Sequence, residues 1–403
     1  MMGVILLLAA LGVPPVPKDV PELMRTFDGR SVTDRQMWES VRKPEIRKRF
    51  LESMYGVRPA AAEHPKVSFV TESPDRTMMG GHAVRKRIRI SYEGPYDTNS
   101  FVVTAFIPRK DRPASSFVLI CNRDPLKNID PERAEKSPFW PAEEIVNHGY
   151  AAIAFYNGDV APETYEPSTA FLSGVFPCYE RPSDRTDASW GTLSAWAWGA
   201  SRVMDWIESE PLLDEKHVAV VGHSRGGKTS LLVGATDERF ALTCVNCSGC
   251  GGAKLAHIDL PESEYYALFL HWRVTYWFCG RFQRDFMNRD RMIYRPDPWR
   301  GISCKPLDVD QHQWAALIAP RLLAIASATE DKCAGPLGEY YTAKLASPAW
   351  ELYGVRGLVA DGWPTPDVPQ AEGNLCYHIR TGSHDLTTYD WGVYMDFACR
   401  HGF

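Results

Sequence analysis

Gly222-His223-Ser224-Arg225-Gly226 is the stretch of this sequence whose residue types most directly imply covalent chemistry. G-x-S-x-G carries meaning in one context, a turn between a strand and a helix. Here the apolar run His217–Val221 precedes it and the helical run Lys228–Ala235 follows. The glycines permit a sharp turn and the close passage of neighbouring backbone. A serine at a helix N-terminus faces N–H groups and a dipole that stabilise a developing oxyanion. The chemistry implied is acyl transfer through an activated serine.

A serine needs a base, and a chain built on such an elbow supplies the acid next and the histidine last. His384 lies in Thr381-Gly382-Ser383-His384-Asp385, after the last apolar strand and before the last helix, where the base belongs. His378 falls inside that strand and His312 inside a helix, so both read as structural. The acid should follow the strand 321–327. Asp331 is the first choice and Glu330 the alternative. Its work is to hold the imidazole tautomer and stabilise imidazolium, which a short buried carboxylate can do. Lys228 lies one helical turn after Ser224. It is either a donor to substrate hydroxyls or a solvated helix lysine.

These residues need a scaffold, and the pattern of elements supplies one. A capping box at Thr33-Asp34-Arg35-Gln36 opens a helix through Val41, and Pro44 starts a second that runs to about Met54. Strands are expected at Val67–Val70, His82–Tyr92 and Phe101–Ile107. Short apolar runs at Ser116–Cys121, Tyr150–Phe155, His217–Val221, Ala241–Cys247, Arg321–Ser327 and Leu375–Arg380 then alternate with helices. The helices expected are Pro141–His148, an amphipathic Gly191–Glu208, and 225–235, 311–318, 338–345 and 388–400. Alternation of this kind predicts an α/β fold, a mostly parallel sheet flanked by helices on both faces. With no repeat or low-complexity linker, residues 18–403 read as a single α/β-hydrolase domain with an N-terminal helix and strand extension.

Composition narrows the partners. The 403 residues are 44% hydrophobic and 24% charged, and the formal net charge of −5 gives no basic footprint for nucleic acid. Thirteen tryptophans read mainly as core. The ten cysteines suit either redox compartment. Cys244, Cys247 and Cys250 are evenly spaced, but no paired His or C-x-x-C set completes a zinc site. No metal or organic cofactor is expected. The apolar run Val4 to Val13 is too short to cross a bilayer. It makes 1–17 a signal peptide or hydrophobic tether, although no Lys or Arg precedes the run and no A-x-A site follows. The expectation is a secreted or periplasmic protein without a stable membrane span, acting as a monomer.

Beyond the elbow, a larger set of segments is similar to the glucuronoyl esterases of carbohydrate esterase family 15, particularly the bacterial ones. The markers are Arg42-Lys43-Pro44-Glu45-Ile46 with Tyr55-Gly56, Phe155-Tyr156-Asn157-Gly158-Asp159 and Ser194-Ala195-Trp196-Ala197-Trp198-Gly199. Val220 through Thr229, Ser248-Gly249-Cys250-Gly251-Gly252-Ala253, Asp310-Gln311-His312, Leu317-Ile318-Ala319-Pro320-Arg321 and Gly382-Ser383-His384-Asp385-Leu386 complete the set. The resemblance covers most of 30–400. It implies hydrolysis of esters between glucuronic acid branches of xylan and lignin alcohols. It also implies that Arg225 helps hold the oxyanion with its side chain and that Lys228 binds the uronate hydroxyls.

The sequence departs from the family in three places. Many members keep a catalytic Glu just before the Ser-Gly-x-Gly-Gly run, where this chain has Cys247, which favours Asp331 as the acid. The family's Glu-Asp-x-Trp-Ala-Asp-Pro stretch reads Glu330-Asp331-Lys332-Cys333-Ala334-Gly335-Pro336, so a sugar-facing Trp is replaced by Cys333. The segment Cys121–Pro131 lacks the usual Asn-rich pattern. The resulting expectation is a Ser224–His384–Asp331 esterase acting on glucuronoxylan or lignin–carbohydrate esters. The rivals are an acetylxylan or other carbohydrate esterase, and a catalytically weak polysaccharide-binding relative. Glu262, Glu264, Trp272, Trp277 and Gln311 are candidates for the sugar site, but the sequence does not place them.

Overall fold

Nine strands form one sheet in the computed structural model, in the order β1-β2-β3-β5-β4-β6-β7-β10-β11. The structure describes residues 16–403 except 165, 259, 261, 267, 288–291, 295–301 and 305–307. Most of the apolar N-terminal run therefore lies outside the described residues. The first three strands, β1 (Lys66–Met78), β2 (Ala83–Glu93) and β3 (Thr98–Pro108), pair antiparallel, and β3 joins β5 (Ala151–Tyr156) the same way. From there every pairing is parallel, through β4 (Ala114–Cys121), β6 (Leu213–His223), β7 (Leu242–Asn246), β10 (Leu322–Ala328) and β11 (Leu375–Arg380). A separate hairpin joins β8 (Met292–Tyr294) to β9 (Ile302–Cys304).

Continuous apolar runs make the central strands because both of their faces are covered. Val118 and Ile120 of β4 face one core, and Phe117 and Leu119 face the other. The second core is closed by α1 (Ala142–Asn147) through Ile145 and Val146, and by α6 (Thr388–Arg400) through Trp391 and Tyr394. Against the first pack α2 (Thr192–Ser209), α3 (Arg225–Thr236), α4 (Gln311–Ala316) and α5 (Pro336–Ala346). This is the α/β-hydrolase architecture expected from the sequence.

Two local expectations need correction. The helices read as 33–41 and 44–54 are one helical run over 35–55, capped by Asp34, whose carboxylate accepts from Met37 N at 2.8 Å. Pro44 is tolerated because it follows the π-helical segment Trp38–Arg42, where the hydrogen-bond register changes. The helix α2 is not amphipathic in place: every residue from Thr192 to Met204 is buried. Two of its tryptophans satisfy their indole N–H on backbone, Trp196 on Ala161 O at 2.7 Å and Trp198 on Ala62 O at 2.8 Å. The tryptophans Trp38, Trp140, Trp190, Trp196, Trp198, Trp314, Trp350 and Trp391 are all fully buried, which puts most of the tryptophan complement in the core.

Candidate active site

The carboxyl ends of β4, β6, β7, β10 and β11 lie side by side, and the loops leaving them carry the chemistry. At the end of β6, Ser224 takes φ 56° and ψ −123°, a strained conformation for a residue with a side chain, and caps α3. The elbow is built by its neighbours. A Cβ on Gly222 would lie 1.9 Å from Gly226 O, so no other residue fits there. Ser224 N donates to Asn246 O of the adjacent strand at 2.9 Å, which fixes the turn to the sheet.

The loops after β10 and β11 are joined to each other. Thr329 N donates to Arg380 O, Glu330 N to Gly382 O, both at 2.9 Å, and Gly382 N returns to Thr329 Oγ1 at 3.1 Å. This brings His384 Nδ1 to 2.5 Å from Asp331 Oδ2. Asp331 is buried and His384 is partly exposed. Asp331 is the carboxylate in contact with His384. Glu330 is exposed, and no contact of its carboxylate with His384 is recorded among the described residues.

His384 packs against His223, the ring centroids 4.4 Å apart and the planes tilted by 46°. Burial and the neighbouring His384 hold the His223 imidazole well below its ordinary pKa, so it stays neutral. Its Nδ1 lies 2.6 Å from Asn246 Oδ1. In the resting arrangement the Ser224 hydroxyl has no hydrogen bond among the described residues; contacts of this kind tighten when substrate binds.

His378 and Arg380, at the end of β11, converge on buried Asp390. His378 Nε2 lies 2.9 Å from Oδ1, and Arg380 Nε donates to Oδ2 at 2.9 Å. The Arg380 guanidinium also donates to Ser383 O at 2.6 Å and Asp385 O at 2.7 Å, gripping the backbone on both sides of His384. His378 and His312 are structural, as their sequence positions implied; His312 Nε2 contacts Pro21 O at 2.9 Å.

Two cations flank the serine, Arg225 partly exposed and Lys228 buried. The Arg225 guanidinium donates to Asn122 O at 2.7 Å and pairs with Glu163 at 2.7 Å, while its buried Nε has no partner among the described residues. Lys228 is buried, so the solvated alternative does not hold. Its Nζ donates to Ser248 O at 2.6 Å and pairs with Glu264 at 3.1 Å. Glu264 Oε2 also accepts from Cys250 N at 2.8 Å.

Of the other candidates, Glu262 pairs with Lys332 at 2.7 Å. Trp272 is partly exposed beside Phe269, and Trp277 and Gln311 are buried in packing. Sequence reasoning missed Glu163 and Glu339. A carboxylate sixty-odd positions before the elbow carries no local signal, and Glu339 sits inside an ordinary helical pattern. Glu339 accepts from Ser248 N at 2.7 Å, Ser248 Oγ at 2.9 Å, Gly249 N at 3.0 Å and Ser327 Oγ at 2.6 Å. Burial pushes its carboxyl up to about 7.

Comparison with known proteins decides the family. Residues 140–354, just over half of the chain, match the family model described as "Glucuronyl esterase, fungi". The carbohydrate esterase MZ0003, from an unknown prokaryotic organism, is 33% identical over 96% of this chain and 90% of its own length. The chain belongs to the glucuronoyl esterases, carbohydrate esterase family 15.

Within that family, a structure described as a promiscuous esterase from the marine bacterial metagenome is 32% identical. It has a TM-score of 0.81 and covers 96% of this chain and 98% of its own. The glucuronoyl esterase from Solibacter usitatus is 29% identical with a TM-score of 0.82, over 97% of this chain and 99% of its own. The 4-O-methyl-glucuronoyl methylesterase 1 of Sodiomyces alcalophilus is 30% identical over a shorter stretch, 52% of this chain and 39% of its length. Among the described residues no helix is long and apolar enough to cross a membrane.

Proposed function

We propose that this chain is a serine esterase that hydrolyses esters of glucuronic acid or 4-O-methyl-glucuronic acid, as in lignin–xylan cross-links. The observation that carries the reading is the 2.5 Å His384–Asp331 contact beside a strained Ser224, with the buried Lys228–Glu264 pair one turn behind the nucleophile. His384 takes the proton of Ser224, whose Oγ attacks the ester carbonyl. The Arg225 guanidinium and backbone N–H groups at the start of α3 stabilise the tetrahedral oxyanion, and the free Nε of Arg225 is the donor left for this. The alcohol leaves with the proton from His384, and water releases the uronic acid by the reverse steps. Asp331 holds His384 in the tautomer that presents a bare Nε2. Lys228 and Glu264 offer a cation and an acceptor to sugar hydroxyls. The cycle as written uses no metal or organic cofactor.

The relatives named as glucuronoyl esterases and methylesterases support the uronate; the one described as promiscuous supports a second reading in which other carbohydrate esters are also cleaved. Residues 18–403 acting as one monomeric domain, exported by the apolar segment 1–17 to the exterior or periplasm, complete the proposal. Nucleic acid has no part in it.

Hydrolysis of benzyl glucuronate and of an aryl acetate, by wild type and by Ser224→Ala, tests it. Turnover of the glucuronate that Ser224→Ala abolishes is the expected result. Turnover of the acetate alone would keep the serine mechanism and remove the uronate assignment. Turnover of both supports the broader esterase.

A further inference from the structure

Cys247 has no part in the acyl-transfer scheme, yet it faces it. The loop after β7 carries the thiol, the loop after β10 carries Asp331 and the loop after β11 carries His384. Their donor atoms, one Sγ, one carboxylate oxygen and one imidazole nitrogen, all lie within 4.8 Å of one another. We propose that Cys247, Asp331 and His384 form a reversible inhibitory site for a soft divalent cation, with Zn2+ the metal of matching ligand chemistry. Binding does not depend on the functional reading above; only its effect on turnover rests on His384 being the base.

Thiolate, imidazole and carboxylate are the zinc donor set, and three protein ligands with a water in the fourth position make a complete tetrahedral site. Zn–S near 2.3 Å and Zn–N and Zn–O near 2.0–2.2 Å require donor atoms roughly 3.3–3.6 Å apart. The Asp331–His384 contact must therefore open from 2.5 Å by about 0.8–1.1 Å. His384 can make that movement because its side chain is 44% exposed. The other two ligands are anchored: Cys247 N donates to Ala326 O at 2.8 Å, and Asp331 Oδ1 accepts from Ala334 N at 3.2 Å. Burial holds the Cys247 thiol well above its ordinary pKa, so the metal must displace the proton of a buried S–H, with Asp331 and Asp390 as acidic neighbours and Arg380 as the opposing charge.

The balance of protons explains inhibition. Zinc forms one bond each to Sγ, Nδ1 and the carboxylate and sheds aquo ligands. The Cys247 S–H bond breaks, and that proton goes to solvent. The Nδ1 proton is replaced by the metal and reappears on Nε2 by exchange with water, so one net proton is released per zinc. A histidine metallated at Nδ1 and protonated at Nε2 cannot accept the proton of Ser224. The site switches the enzyme off by fixing the unproductive tautomer.

The test titrates Zn2+ against turnover of benzyl glucuronate and an aryl acetate, and uses Cd2+ as an optical reporter of thiolate binding. Wild type should lose activity, recover it with EDTA, and show one Cd2+–thiolate charge-transfer signal per chain. Ser224→Ala should keep that signal, since the serine is not a ligand. Cys247→Ala should stay active, lose the signal, and need more zinc by a factor exceeding the roughly 10–100-fold that loss of an outer hydrogen-bond partner costs a metal site. Cys247→Ser supplies the same comparison if the alanine variant does not fold. Cys333→Ser and Cys399→Ser, at the exposed thiols, should leave the signal intact. Zinc inhibition as strong in Cys247→Ala as in wild type would overturn the site, as would a wild type without the signal. A protein that binds Cd2+ through Cys247 but cleaves neither ester would refute the esterase reading and leave the metal site standing.

Discussion

The loop Cys247–Cys250 is held by two carboxylates in opposite ways. On its solvent side Glu264 accepts from Cys250 N and is paired with the Lys228 ammonium at 3.1 Å. On its core side Glu339 accepts from Ser248, Gly249 and Ser327, and every one of those donors is neutral. The same contrast runs through the whole site. Glu163 and Glu264 sit on Arg225 and Lys228, the cations that follow Ser224 in the chain and that a substrate's own oxygens can share. Glu339 has no such partner among the described residues and serves to fix backbone and two serine hydroxyls. The difference separates groups arranged to exchange partners from a group arranged never to let go.

Asp331 is the sharpest test, because its carboxylate is the one in contact with His384. Asp331→Asn keeps the shape but favours the wrong His384 tautomer, and kcat should fall by on the order of 10⁴-fold. Glu330→Gln should leave kcat unchanged, since Glu330 has no recorded contact with His384. Steady-state rates on benzyl glucuronate decide between the two carboxylates, and equal losses would break the assignment.

Arg225 comes next. Arg225→Ala removes the guanidinium assigned to the oxyanion, whose buried Nε has no partner among the described residues, and kcat should fall by about 10²–10³-fold with a smaller change in KM. Arg225→Lys should recover little, because a lysine's three donors share one nitrogen and cannot span Asn122 O, Glu163 and the oxyanion as the planar guanidinium can. A loss confined to KM would move Arg225 from stabilising the oxyanion to binding substrate.

How much of this was readable from the chain follows the reach of each signal. The elbow declares itself because Gly222, Ser224 and Gly226 are adjacent and their steric demand is local. His384 and Asp331 were found because each directly follows a continuous apolar strand, and strand ends converge in a parallel sheet. The spacing puts Lys228 one turn after Ser224, but its burial was not legible: Glu264 comes from a segment without regular periodicity. Glu163 and Glu339 were invisible for the same reason, as nothing in their neighbours records which backbone they will meet. The single helical run 35–55 was missed because Pro44 is read as a start signal, whereas the π segment before it lets the helix continue. Burial of α2 on nearly all sides was hidden by its polar residues, among them Ser194 and Ser201, which are also inside.

Glu339 sharpens the comparison through stability rather than rate. Its folded carboxyl is raised to about 7 from an ordinary 4.5, mainly by burial, against the hydrogen bonds that lower it. A group raised in this way contributes stability that is fully present below pH 4.5 and lost as pH rises through about 7, because the unfolded chain gives up the proton more readily. Glu339→Gln cannot titrate. The stability difference between wild type and Glu339→Gln should therefore shift against wild type between pH 4.5 and pH 7, by up to roughly 3 kcal/mol. Urea denaturation of both proteins across that range measures it. A pH-independent gap for Glu339→Gln would mean that its neutral donors hold the ionised carboxylate as well as a cation would, and the contrast between the two sides of the loop would disappear.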